Sequence, residues 1–118
     1  MLDAKFGTEN PSPTNQGVQG MANIKRVLAF DFGASSGRAI IGKFDGDKIT
    51  LEEVHRFTND PVEVQGTIYW DILRLFHEVK QGIIKAKNAG GFDSIGVDTW
   101  GVDFGLIDEF GCLLENPI

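Results

Sequence analysis

The sequence predicts an α/β domain built on one mixed sheet. Three observations lead there: a nearly continuous apolar run at residues 27–30, a change from strand-like to helical hydrophobic spacing near residue 71, and a short second apolar strand beyond the helix. Three strands, a helix, a strand and a closing hairpin, in that order, describe an antiparallel meander followed by a crossover and a parallel return.

Residues 24–32 read as the first strand, because Val27, Leu28, Ala29 and Phe30 suit a strand buried on both faces. Gly33-Ala34-Ser35-Ser36-Gly37 forms a tight turn, and residues 38–44 return antiparallel. Asp45-Gly46-Asp47 signals a second hairpin, leading into a third strand at 49–57, nearer the sheet edge, whose apolar residues partly alternate. Residues 58–67, with Pro61 and Gly66, read as a polar connection. Ile72, Leu73, Phe76, Val79, Ile83 and Ile84 then recur at helical spacing, predicting a helix over about 71–89. Asp71 can cap its start, Gly90-Gly91 can end it, and Lys85 and Lys87 complement its dipole. Residues 94–99 form a short fourth strand; 102–108 extend again, and Glu109-Phe110-Gly111 turns the chain back into 112–114. A meander, a crossover of about 35 residues, expected to be right-handed, and a parallel strand together suggest a sheet of the ribonuclease H or actin type.

Composition narrows the function. The chain has 118 residues, 42% hydrophobic and 24% charged, as one small soluble domain does. Residues 1–20 hold the run Asn10-Pro11-Ser12-Pro13-Thr14-Asn15-Gln16-Gly17 and few bulky apolar side chains, so they are expected to be a disordered tail or leader. The fold is then expected within 21–118. A net charge of −6 and a pI near 4.7 argue against a nucleic-acid or anionic-membrane surface. No apolar run approaches the roughly twenty residues that span a bilayer. Cys112 stands alone, which excludes an internal disulfide and a thiolate metal site and fits a reducing cytoplasm.

The stretch from Asp31 to Arg38 carries the most chemistry. A carboxylate ends a buried strand and small residues follow at once, so successive backbone N–H groups can point at phosphate oxygens. Ser35 and Ser36 add hydroxyl donors and Arg38 a permanent cation. Asp31 suits a hydrated Mg²⁺ held through its waters. The ending of a Walker A loop is absent. A plain hairpin turn, with glycines and serines serving geometry alone, is the competing reading.

The second constellation, Asp98-Thr99-Trp100-Gly101-Val102-Asp103-Phe104, follows the fourth strand, and strand carboxyl ends are where open α/β sheets present ligand groups. Trp100 offers a face that packs on a sugar ring, Gly101 allows close backbone approach, and Asp103 can accept from sugar hydroxyls. Alternatively Trp100 is core packing, Asp98 a satisfied turn residue and Asp103 solvated. His77, between Phe76 and Glu78, reads as a surface or boundary residue; His55 has no assigned chemistry, and neither is a candidate base.

With both motifs in place, residues 24–118 resemble the start of the FGGY carbohydrate kinases. The resemblance rests on 31–38, on His55-Arg56-Phe57, on Trp70-Asp71 and on 94–104. The first motif is typical of the wider superfamily; the last is more particular to members acting on L-rhamnulose. The resemblance implies transfer of the ATP γ-phosphoryl group to the C1 hydroxyl of L-rhamnulose, with Mg²⁺ and in the cytoplasm. By the same analogy Ala34, Ser35, Ser36, Gly37 and Arg38 line the nucleotide phosphates, Asp31 orients the hydrated metal, and Gly101 contacts the sugar with Trp100 and Asp103 as neighbours. Family members have two actin-like lobes, and their catalytic aspartate and adenosine-binding elements lie beyond the matched stretch. The chain is therefore expected to be part of a first lobe, missing the C-terminal lobe as its partner, holding no catalytic base and inactive alone. Competing readings are a relative acting on xylulose, fuculose or glycerol, and a non-catalytic actin-like contact module.

Overall fold

The computed structural model of the chain describes residues 23–118; the expected tail at 1–20 lies outside the described residues. Strands β1 (Lys25–Phe32), β2 (Ser36–Phe44) and β3 (Ile49–Thr58) form the expected meander. Helix α1 (Ile72–Asn88) crosses over, and the last strand of the sheet, Ser94–Asp98, pairs parallel to β1. Between β3 and α1 lie two further strands, β4 (Val62–Val64) and β5 (Thr67–Tyr69), so the last strand is β6. The main sheet has the order β3-β2-β1-β6, which makes β3 an edge as expected.

Two expectations about the connections are corrected. Residues 58–67 are not merely a connection: β4 and β5 form a small hairpin, with Gln65 at φ 50° and Gly66 at φ 82°. Two successive positive φ values define the tight turn whose twist matches antiparallel strands. The expected hairpin over 102–114 contracts to one bridge, Ile107 to Leu113, around a turn in which the Asp108 carboxylate accepts from the amides of Phe110 and Cys112. Val102 is 84% exposed and Phe110 83%, so no apolar face pulls these residues into a longer ladder.

The core lies between α1 and one face of the sheet. Leu28 and Phe30 of β1, Ala39 and Ile41 of β2 and Ala86 of α1 are buried together. Each large side chain there contributes about 1.5–3 kcal/mol on burial. Gly82 sets the spacing: a Cβ at this position would lie 2.5 Å from the Phe30 ring and 2.9 Å from the Ala39 methyl. A glycine costs a helix interior about 1 kcal/mol, and here it permits close approach of helix to sheet. The opposite face of β1, expected to be buried too, stays open among the described residues, with Val27 41% exposed.

Both ends of α1 are fastened as the sequence suggests. Asp71 accepts from the Arg74 amide at 3.0 Å, and left-handed Gly90 and Gly91 stop the helix. Arg26, at the start of β1, donates from Nε to the Gly91 carbonyl at 2.7 Å and from Nη2 to the Ala89 carbonyl at 2.8 Å. A cation on the last carbonyls satisfies them and complements the dipole.

His55 ties β3 to α1. Its Nε2 donates to the Glu78 carboxylate at 2.7 Å, and Lys85 Nζ donates to its Nδ1 at 2.8 Å. An ammonium has no lone pair to offer, so in this pairing Nδ1 accepts and Nε2 donates. A bulge opposite the Ala39/Ile40 step leaves Val54 as the extra residue of β3 and sets His55 and Phe57 on the helix side. His77 is exposed.

Burial pushes the Glu78 carboxyl up, but hydrogen bonds from His55 and Arg74 outweigh it and hold the group below its ordinary 4.5. A depressed folded value means the contribution is complete above the ordinary carboxyl value and is lost as pH falls through the lower folded one. Glu78→Gln is expected to cost about 1–3 kcal/mol at neutral pH. It should also flatten the acid limb of stability, read by urea unfolding at a series of pH values.

Candidate functional site

The parallel ladder between β1 and β6 sets Asp31 opposite Asp98. The two constellations, separated by some sixty residues in the chain, therefore leave the sheet at the same end. Across the meander Asp31 faces Arg38, and Arg38 faces Arg56. Residues in register on neighbouring strands share a face, so Arg56, Arg38, Asp31 and Asp98 form one polar row on the side away from α1. Within it the Arg38 guanidinium donates to the Asp31 carboxylate, and the two side chains are 40% and 39% exposed. Arg56 grips Glu53 with two bonds of 2.9 and 2.6 Å. That hydrogen bonding holds the Glu53 carboxyl below the usual range, with Arg38 adding to the effect.

The turn between β1 and β2 is stitched on its carbonyl side. The Gly33 amide donates to the Ser36 carbonyl at 3.0 Å, and the Asn59 amide donates to the Ser35 carbonyl at 3.1 Å. Asn59 Nδ2 donates to the Gly33 carbonyl at 2.8 Å. Ala34 and Ser35 are exposed, and their amides donate to no protein group among the described residues. Ser36 opens β2 half-buried. Gly37 is buried in the ladder between Phe32 and Phe57, and a Cβ there would lie 2.1 Å from the Phe57 ring. Its lack of a side chain makes room for that ring, a role the sequence motif does not reveal.

The second constellation turns toward α1. Thr99, Trp100 and Asp103 line a cavity of about 600 Å³ whose walls are mostly apolar, among them Phe32, Trp70 and Phe76. Trp100 faces Trp70 with ring centroids 6.5 Å apart and a 30° tilt. An apolar hollow with a few polar groups at its rim is the usual form of a small-molecule site. Gly101 is exposed beside it, with nothing within 4 Å of a Cβ built there. Asp98 stands on the other face, in the polar row. Phe32 and Asn59 belong both to the cavity wall and to the neighbourhood of the turn, which places the two halves side by side.

Sequence reasoning passed over Asn59 and undervalued Trp70. Asn59 is the buried polar residue among the described residues, 5% exposed. A polar residue directly after a strand that reads into a turn signal is a faint cue, because its partners lie 24 and 26 positions away. His55, without assigned chemistry in the sequence, holds the helix in place.

The donor set at the polar row is carboxylate oxygen, from Asp31 and Asp98. Among the described residues no three His, Cys, Asp or Glu side chains gather into a metal cage. Magnesium is commonly held by one or two carboxylates together with phosphate oxygens and water, so the residues fit that ion when it arrives with a nucleotide.

No family model matches the chain. In sequence it is similar to carbohydrate kinases. The relatives are rhamnulokinases: that of Lactiplantibacillus plantarum is 44% identical over 96 residues, covering 80% of this chain and 20% of the relative. That of Bacteroides thetaiotaomicron is 46% identical over 94 residues (79% and 19%), and that of Halalkalibacterium halodurans 51% over 92 residues (77% and 20%). The resemblance read from the motifs is thus borne out. The chain spans about a fifth of the length of the curated relatives it matches.

The steric demand at Gly37 has a direct test. Gly37→Ala is expected to cost about 1–3 kcal/mol by overpacking. Combined with Phe57→Leu, the loss measured by urea unfolding should fall short of the sum of the two single losses by about 1 kcal/mol or more.

Proposed function

We propose that this chain supplies the phosphate-holding turn and one side of the sugar site of an ATP-dependent kinase. In the longer protein the γ-phosphoryl group passes to the C1 hydroxyl of L-rhamnulose, in the cytoplasm. Residues 21–118 are read as part of a first lobe of ribonuclease H or actin type, completed by a second lobe. The observation that carries this reading is the Asp31–Asp98 register, which brings the two motifs to one end of the sheet. Further support comes from the rhamnulokinase relatives and from the α/β sheet with its parallel return strand. Among the described residues no helix is long and apolar enough to cross a membrane.

On this reading the exposed amides of Ala34 and Ser35, the amide and hydroxyl of Ser36 and the Arg38 guanidinium hold phosphate oxygens. Gly37 gives the turn its room. Magnesium, when bound with the nucleotide, neutralises phosphate charge, and Asp31 orients its waters. Trp100 and Asp103, with Gly101 beside them, take the sugar against the apolar wall, and Trp70 joins them. No residue of this chain is assigned the removal of the acceptor's proton. Phosphoryl transfer needs positioning from both sides of a closed site, so this chain by itself is read as inactive.

The test is an amide-resolved titration of the 118-residue protein with Mg²⁺ and ATP. Shifts should centre on residues 31–38, and Asp31→Asn should weaken the magnesium-dependent part several-fold. A coupled ADP-release assay with L-rhamnulose should show no turnover. Shifts scattered away from the turn, or shifts indifferent to magnesium, would sink the assignment.

A further inference from the structure

We infer that Asn59 is the positioning residue that aims the turn amides outward, a role that rests on reading this turn as a phosphate site. In a trans peptide the carbonyl of one residue and the N–H of the next point in opposite directions, and no peptide among the described residues is cis. Asn59 Nδ2 draws the Gly33 carbonyl inward at 2.8 Å, so the Ala34 N–H faces the other way. The Asn59 main-chain N–H draws the Ser35 carbonyl at 3.1 Å and so turns the Ser36 N–H away from β3. One residue thereby fixes two of the planes between β1 and β2.

Asn59 also replaces a bond of the turn. A loop with two residues between Gly33 and Ser36 ordinarily closes through an N–H of Ser36 donating to the carbonyl of Gly33. Here that bond is not made: Gly33 donates to Ser36, while the Gly33 carbonyl goes to the Asn59 carboxamide. The side chain of Asn59 takes the place of the closing donor and leaves the Ser36 amide without that acceptor. It does so from a buried position, 5% exposed, where its amide is held between the turn and the aromatic wall of the cavity. A buried amide with fixed partners has little freedom to release them. Asn59 touches neither solvent-side ligand position; it acts through the backbone of Gly33 to Ser36.

Asn59→Leu keeps the approximate shape of the side chain and removes its amide without adding charge. Hydrogen exchange of the free protein reads the turn directly. In the wild type the Ala34 and Ser36 amides should exchange with little protection. In the variant the closing bond should form and slow Ser36 tenfold or more, with the amides of β1 and α1 unchanged. Titration with Mg²⁺ and ATP should show at least a tenfold weaker response at residues 34–38. Strong protection of Ser36 in the wild type, or a variant that alters neither exchange nor binding, overturns the inference. If exchange responds but neither protein binds nucleotide at the turn, the phosphate reading fails and the hold of Asn59 on the loop stands. Should the leucine variant fail to fold, Asn59→Ala, which keeps the main-chain bond, is read by the same two measurements.

Discussion

The pairing of β1 with β6 is the contact on which the rest of the site depends, because the two motifs have no other reason to meet. A slip of one residue in that ladder would turn every side chain of β6 to the opposite face. Asp98 would then point toward α1, and Val97 would leave the cavity wall for the polar row. The register is pinned at the far end of the strands by Arg26. Its main-chain amide donates to Asp93 at 2.8 Å, the Asp93 amide donates back to the Arg26 carbonyl at 2.7 Å, and its guanidinium holds the end of α1. One residue of β1 thus fixes where the helix stops and where β6 begins. Hydrogen bonds from a charged group are worth about 1.5–3 kcal/mol each, enough to select one register among neighbours that differ little in backbone bonding.

Much of this fold is legible in the sequence because it rests on local pattern. The period of apolar residues from Ile72 to Ile84 and the Asp71 cap give α1 to within a residue of its observed bounds. The β4–β5 hairpin is less visible, since Gln65-Gly66 is a weak form of a signal usually written with Asn or Asp before the glycine. The bulge at Val54 has no local signature; it accompanies the contacts of His55 with Glu78 and of Phe57 with Phe32 on the core side. The site divides the same way. Asp31, Arg38 and Trp100 are readable as chemistry because their side chains carry it. Asn59 and Gly37 act through distant partners, one by binding carbonyls and one by leaving space, and neither action marks the sequence around it.

The apolar run in β1 shows where pattern and structure part. Val27 and Ala29 alternate with Leu28 and Phe30, and a strand of this kind suits burial on both faces. Among the described residues α1 covers one face only. On the other, Val27, Leu51 and Ile49 remain 41%, 73% and 64% exposed. Periodicity reports how a strand is suited to pack, and only the neighbours present decide which faces are covered. The same holds at 102–114, where apolar residues without a covering layer make a turn and one bridge instead of paired strands.

The polar row resolves an apparent conflict in a chain of net charge −6 read as holding polyphosphate. Arg38 and Asp31 are paired, which at first sight removes both from service. Yet each is about two-fifths exposed, and exposed pairs contribute about 0–1 kcal/mol. Separating them therefore costs little. A magnesium nucleotide presents both signs of charge close together, a cation for the carboxylate and phosphate oxygens for the guanidinium. The ion pair of the free protein is the arrangement such a ligand would exchange for two stronger contacts. On the phosphate reading, backbone amides that carry no net charge would supply the remaining positive potential, and an acidic protein would need no basic surface at this turn.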